Sequence, residues 1–269
     1  MNSRNTDLEQ VKLVAHALLD VEIQPTEFSP MIVSHPFTNT GIAALSDEQG
    51  NFTPADLLNN PTDLERWRKR VGEQIDKSKN VYQIFMLVNK PYYLTFIKYA
   101  AHFLSEKDLG QILSDAWIMS EFPNADRNVG TRELLALFRS VSPEYLMDRR
   151  DWQKYQSLED TVTVYRGIAS ADKGNIKALS WTLDRNTAEW FAHRFGKDGT
   201  VYTAQIKRND IYAYFSGRKE SEVIVDPDSL KKIMVAPRQQ VRESMRMKER
   251  HISFPEIDGA EKVVAIFKM

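Results

Sequence analysis

The sequence predicts an α+β protein, mainly helical over residues 1–140 and built of short strands with few helices over 141–269. Apolar residues recur at helical spacing through the first half, and near residue 160 the texture changes to short β-branched runs. Neither half contains an internal repeat or a low-complexity tract, so each reads as an ordinary packed region. With 42% hydrophobic and 10% aromatic residues in 269, the chain has the material for a sizeable core.

In order along the chain, residues 7–20 place Leu8, Val11, Val14, Ala15 and Leu18 on one helical face. Residues 21–60 read as irregular, because Pro25, Pro30, Pro36 and Pro54 interrupt any long element. Asn60-Pro61-Thr62 opens a charged helix to about Lys77, in which Trp67-Arg68-Lys69-Arg70 reads as a charged face. Val81–Asn89, Tyr92–Leu104 and Glu106–Ser120 follow as helices, the last with Ser105 as N-cap. A further helix is expected over Thr131–Val141. Strands are then expected at Thr161–Arg166, Ala178–Thr182, Val201–Ile206, Ser221–Val225, Lys232–Val235 and Lys262–Phe267, with a helix over Thr187–Phe195. No Gly/Ser/Pro-rich linker marks the boundary near 140.

Composition narrows the functions available. Lys and Arg number 36 against 37 Asp and Glu, a net charge of -1, so nothing demands a nucleic acid or a membrane surface as partner. The absence of cysteine excludes disulfides, thiolate metal sites and cysteine nucleophiles. The longest apolar runs, such as Val81–Val88, are too short to span a bilayer. Residues 1–10 are polar and acidic without a signal-peptide core, which leads to the expectation of a cytoplasmic protein, in the producing or a target cell, with leaderless export left open. The five histidines (His16, His35, His102, His193, His251) lack metal-ligand spacing, and no metal is expected. There is no Walker or Rossmann glycine loop.

Three features fall in order in the second half: Arg166-Gly167 at the end of one strand, Ser180-Trp181-Thr182 leading into a helix, and Glu220-Ser221-Glu222 after the turn Ser216-Gly217-Arg218. On a strand Glu220 and Glu222 would share a face, where like charges raise each other's pKa. Taken singly, each feature has an ordinary reading: a solvated strand start for the glutamates, a surface ion pair for Arg166, and an edge with tryptophan turned to the core for Ser180-Trp181-Thr182.

In combination they resemble the mono-ADP-ribosyltransferases of the arginine–serine–glutamate class, which include bacterial toxins and effectors and phage members. VYRG resembles that family's first-strand arginine, LSWTLDRNTAEWFAHRF its serine strand and following helix, and IYAYFSGRKESEVIV its turn-turn loop ending in Glu-x-Glu. The resemblance covers about residues 160–235. It implies a split β-sandwich with flanking helices, and NAD+ as substrate. Arg166 would hold NAD+, the Gly167 backbone would approach its carboxamide, Ser180 would position the catalytic glutamate, and Thr182 would support the strand. Glu222 would be that catalytic residue, stabilising the cation that develops on the ribose. Glu220 would orient or deprotonate the acceptor, its glutamate identity pointing to arginine on a target protein. Phe191 would either stack on nicotinamide or share a core face with Phe195. Tyr212, Tyr214 and Phe215 would either meet the target or form a buried strand end. Two departures stand out: Trp181, read as facing the core, occupies the middle of the serine motif, and Thr182 takes its third position. Arg166 argues against the subgroup that begins with histidine.

Other readings remain open: an NAD+ glycohydrolase, a non-catalytic binding module on the same fold, or a nucleic-acid-directed transferase. Arg238, Arg242, Arg246 and Arg250 would form a basic stripe on a helix, serving either nucleic acid or a solvated face paired with Glu243 and Glu249. Residues 1–140 would recognise the target, cover the NAD+ cleft or bind a regulator.

Overall fold

The computed structural model describes residues 5–46, 49–120, 128–169, 176–194 and 199–237. The chain divides into Met1–Ala236 and Pro237–Met269, and every element below belongs to the first unit. The expected strand Lys262–Phe267 and the arginine stripe from Arg238 to Arg250 lie outside the described residues, as does Phe195.

Local chemistry starts the helices where the sequence places their caps. Helix α1 (Leu8–Leu19) begins at Asp7, whose carboxylate accepts from Gln10 N at 3.2 Å. Residues 24–56 depart from the irregular stretch expected. They form strands β1 (Gln24–Thr26), β2 (Ser29–His35) and β3 (Thr38–Thr40) in one antiparallel sheet, then the hairpin of β4 (Ile42–Ser46) and β5 (Phe52–Asp56). The prolines are accommodated because these sheets are small. Pro25 lies on an edge strand, Pro54 in a two-stranded hairpin, and Pro30 beside a break in the β1–β2 register.

Helix α2 (Pro61–Lys77) is capped by Asn60 Oδ1, which accepts from Thr62 N and Asp63 N. Its Trp67 is buried edge-on against His35, at 5.4 Å between ring centroids, so the expected charged face has a packed tryptophan within it. After α3 (Val81–Phe85) and α4 (Tyr93–Ala100), helix α5 (Glu106–Met119) starts at Ser105, whose hydroxyl accepts from Asp108 N at 3.1 Å. Helices α6 (Thr131–Arg139), α7 (Pro143–Leu146) and α8 (Arg149–Gln156) complete the helical half; the last two were not expected from the sequence. In α8 the run RRDWQKYQ carries little apolar periodicity, and the helix is instead organised by the Asp148 cap and by buried Asp151 and Tyr155.

Among the described residues the second half forms one antiparallel sheet of six strands. These are β6 (Thr161–Ala169), β7 (Ser180–Thr182), β8 (Gly199–Lys207), β9 (Ile211–Phe215), β10 (Glu222–Val225) and β11 (Lys231–Val235), in the spatial order β11-β8-β6-β7-β10-β9. Helix α9 (Arg185–His193), capped by Asp184, packs on β6 and β8. The expected α+β class is therefore observed. The sheet is also unevenly sewn. β6 pairs with β8 along its whole length, from Thr161↔Lys207 to Ala169↔Gly199, but meets β7 at the single register position Tyr165↔Thr182.

One hydrophobic cluster runs from Val11 in α1 through Trp117 in α5 to Val223 and Ile224 in β10, so the helical half and the sheet share a core. Trp117 packs edge-on against Phe138 at 5.3 Å, worth about 0.5–1.5 kcal/mol beyond burial alone. Arg139, closing α6, donates to Tyr212 Oη at 3.0 Å and forms an ion pair with Asp226, which fixes that helix to the edge of the sheet. No helix of the described residues is long and apolar enough to cross a membrane.

Candidate active site

Glu222 begins β10 and is held between two neighbouring strands, opposite Thr182 of β7 and Phe215 of β9. It is 5% exposed. A carboxylate so placed keeps its charge cheaply only when donors replace water. Here Ser180 Oγ donates to Oε1 at 2.5 Å, Trp117 Nε1 to the same oxygen at 3.1 Å, and Arg218 Nη2 to Oε2 at 3.2 Å. The serine and glutamate of the motif are thus in direct contact, brought together by the β7–β10 pairing.

Arg166 joins them through the backbone. Its Nη1 donates to the carbonyl of Ser180 at 2.5 Å, across the narrow junction between β6 and β7. Thr182, 6% exposed, donates its hydroxyl to the carbonyl of Glu220 at 2.6 Å and accepts from Asp184 N at 2.9 Å. It therefore ties the Glu-x-Glu segment to β7 and to the cap of α9. Trp181 faces the core, as read from the sequence: it is 2% exposed, and its indole N–H reaches the Ala178 carbonyl.

Glu220 corrects one expectation. The strand begins at Glu222, and Ser221 has a left-handed backbone (φ +46°), so the two glutamates are not neighbours on a regular strand face. They meet through Arg218 instead, whose Nε pairs with Glu220 Oε2 at 3.2 Å while Nη2 serves Glu222. Burial pushes the Glu220 carboxyl above its ordinary value. Arg218 opposes that shift, Glu222 reinforces it and Arg194 opposes it.

Gly167 sits one residue beyond Arg166, on the alternate face of β6. A Cβ there would lie 1.9 Å from the Ala188 carbonyl oxygen and 2.7 Å from Ala192 N. This glycine lets α9 lie on the strand, a physical role different from the carboxamide approach that the resemblance implies. Gly199 on the paired strand has the same relation to α9, 2.0 Å from the Ala192 oxygen. Phe191 is half-buried on α9, edge-on to Trp190 and beneath the Arg194 guanidinium at 5.1 Å. Phe191 is not part of the buried core clusters. Tyr214 and Phe215 are buried and Tyr212 is bonded to Arg139, so this segment forms a packed strand end.

Three contributors escaped the sequence reading. Trp117 and the Ser120 carbonyl, which accepts from Arg218 Nη1 at 3.4 Å, come from the end of α5. Asp151 of α8 is buried and receives both Ser216 N (3.1 Å) and Ser216 Oγ (2.6 Å), which anchors the start of the turn that delivers Arg218 and Glu220. These contacts join positions 65 to 105 residues apart, and no local pattern announces them. Among the described residues no His, Asp and Glu side chains group to hold a metal ion. Compared with protein-family models, curated proteins and solved structures, the chain matches none.

Proposed function

We propose that this protein is a mono-ADP-ribosyltransferase that cleaves NAD+, releases nicotinamide and passes ADP-ribose to an arginine of a target protein. The observation that carries the reading is the contact between Ser180 Oγ and a buried Glu222, with Arg166 bound to the same serine's carbonyl. Three residues from three separate segments converge on the adjacent strands β6, β7 and β10, and the chemistry needs this set. A carboxylate held by two donors on one oxygen and by Arg218 on the other has a fixed direction, and a carboxylate so fixed is suited to stabilise a positive charge developing on a ribose. The guanidinium of Arg166 is suited to phosphate oxygens. Glu220, whose carboxyl burial raises, fits a base acting on a guanidinium.

The test is incubation of the protein and of Glu222→Gln with adenylate-labelled NAD+ in a bacterial lysate, followed by separation of protein, nucleic acid and nucleotide. Label on protein with the wild type alone is the expected result. Label on nucleic acid would change the acceptor class. Free ADP-ribose alone would favour a glycohydrolase, and intact NAD+ in both samples would leave a binding module as the better account.

A further inference from the structure

Trp117 brings a polar group into the core at a place where a plain apolar ring would also fill space. Helix α5 buries Leu109, Ile112, Leu113, Ala116 and Trp117 along one side, and Trp117 is wholly buried, edge-on to Phe138 of α6. An indole N–H sealed from water needs an acceptor. For Trp181 that acceptor is ordinary, the Ala178 carbonyl three positions back. For Trp117 it is Oε1 of Glu222, 105 positions away, at 3.1 Å. The same oxygen accepts from Ser180 Oγ, so donors from α5 and β7 meet on one atom. The helix that carries the indole is held at both ends. Ser142 N donates to Glu106 Oε1 at 2.6 Å in its first turn, and the Ser120 carbonyl, just past its last, accepts from Arg218 Nη1 at 3.4 Å. A side chain on a fixed helix aims its donor more narrowly than one on a loop. An indole also donates and cannot accept, whereas the serine hydroxyl does both. Trp117 therefore binds Glu222 only through an unprotonated oxygen.

From this placement we infer that Trp117 is a positioning residue for the catalytic step: it fixes the direction of the Glu222 carboxylate, so that the helical half supplies part of the machinery that cleaves NAD+. The inference rests on the transferase reading above. Trp117 is buried and acts through Glu222, without touching the substrate. The bond between ribose C1′ and the nicotinamide nitrogen breaks, and its electron pair leaves with nicotinamide. The acceptor, a guanidine or water, then bonds to C1′ and loses one proton to solvent. Glu222 stabilises the cation that develops as the first bond breaks, before the acceptor is chosen. Loss of the indole donor should therefore slow the reaction by one factor whichever acceptor follows.

The experiment uses the full chain with Trp117 replaced by its benzothienyl analogue, which keeps the shape of the indole and has sulfur in place of the N–H. Nicotinamide release is measured with NAD+ alone, where water is the acceptor, and with agmatine, a small guanidine. The expected result is a fall in kcat of roughly 10–100-fold in both samples, with KM for NAD+ within about twofold of the wild type. The ratio of ADP-ribosyl-agmatine to free ADP-ribose should stay as it was. The indole N–H resonances give a readout independent of turnover: of the five tryptophans, Trp117 should shift most in Glu222→Gln. Wild-type kcat in the analogue, a loss confined to KM, or a changed product ratio would overturn the positioning role while leaving NAD+ cleavage in place. No nicotinamide release from the wild-type chain in either sample would overturn the transferase reading and this inference with it. A Trp117 resonance unmoved in Glu222→Gln would overturn the contact on which the inference stands.

Discussion

At the scale of single residues, the Glu222 carboxylate depends on its donors. Trp117→Phe keeps the ring in the core but removes the N–H on Oε1, a hydrogen bond to a charged group worth about 1.5–3 kcal/mol. We expect kcat to fall on the order of 10–100-fold with KM for NAD+ little changed, measured as nicotinamide release. Ser180→Ala should do the same from the other side, while Glu222→Gln abolishes turnover. On the proposed reading Glu220 sets the pH behaviour. As a base it must be ionised, and its carboxyl is raised by burial. The acid limb of the kcat/KM profile for agmatine should therefore lie above the ordinary carboxylate range. Arg218 lowers that carboxyl, so Arg218→Met should move the limb further up, and an unmoved limb would assign the titration to another group. Arg166, Ser180, Thr182 and the glutamates were legible because each sits in a short run of distinctive residues. Trp117 was not: an apolar residue on an amphipathic helix announces burial, and only the fold shows that its N–H meets a carboxylate 105 positions away.

At the scale of elements, glycine spacing decides how α9 sits. Gly167→Ala would drive a methyl group into the Ala188 carbonyl, 1.9 Å away, and backbone cannot swing aside as a side chain can. The expected cost is at least about 2–3 kcal/mol in urea unfolding, whereas Gly217→Ala, with nothing near it, should change stability by less than about 0.5 kcal/mol. Equal effects at both positions would remove the packing argument. His35 offers a second test, in the small sheet. Its Nε2–H faces the carbonyls of Leu19 and Val21, and Nδ1 accepts from Phe37 N, so the ring is held neutral. Burial lowers its pKa from 6.5. The folded state thus binds fewer protons than the unfolded, and this contribution is full above 6.5 and is lost as pH falls through the lowered value. The midpoint of thermal unfolding should decline in that window, and less steeply in His35→Gln. The capped helices were legible from Asn60-Pro61 and Ser105, and α1 from its apolar spacing alone. The strands of residues 24–56 were not, because proline marks a break in a broad sheet but is tolerated at edges and register shifts of a narrow one.

At the scale of the whole molecule, the helical half is built into the site. Trp117 and Ser120 bring α5 to the two motif glutamates by way of Glu222 and Arg218, Asp151 brings α8 to the turn, and one core joins these helices to β10. A fragment beginning at residue 141 would expose the β10 face and leave Glu222 without its indole donor. We expect it to lack cooperative unfolding and NAD+ cleavage, as monitored by circular dichroism and nicotinamide release. The change of texture near residue 160 located the sheet correctly, yet pattern alone could not show that its support comes from α5, because long-range packing leaves no mark on local spacing. The sheet itself resembles two leaves bound by one stitch, with Arg166 on the first leaf and Ser180 and Glu222 on the second. A molecule gripping both leaves would act as a clasp. Its affinity would then depend on how freely the leaves part, and backbone amides flanking Tyr165 and Thr182 should exchange with deuterium more slowly once it is bound.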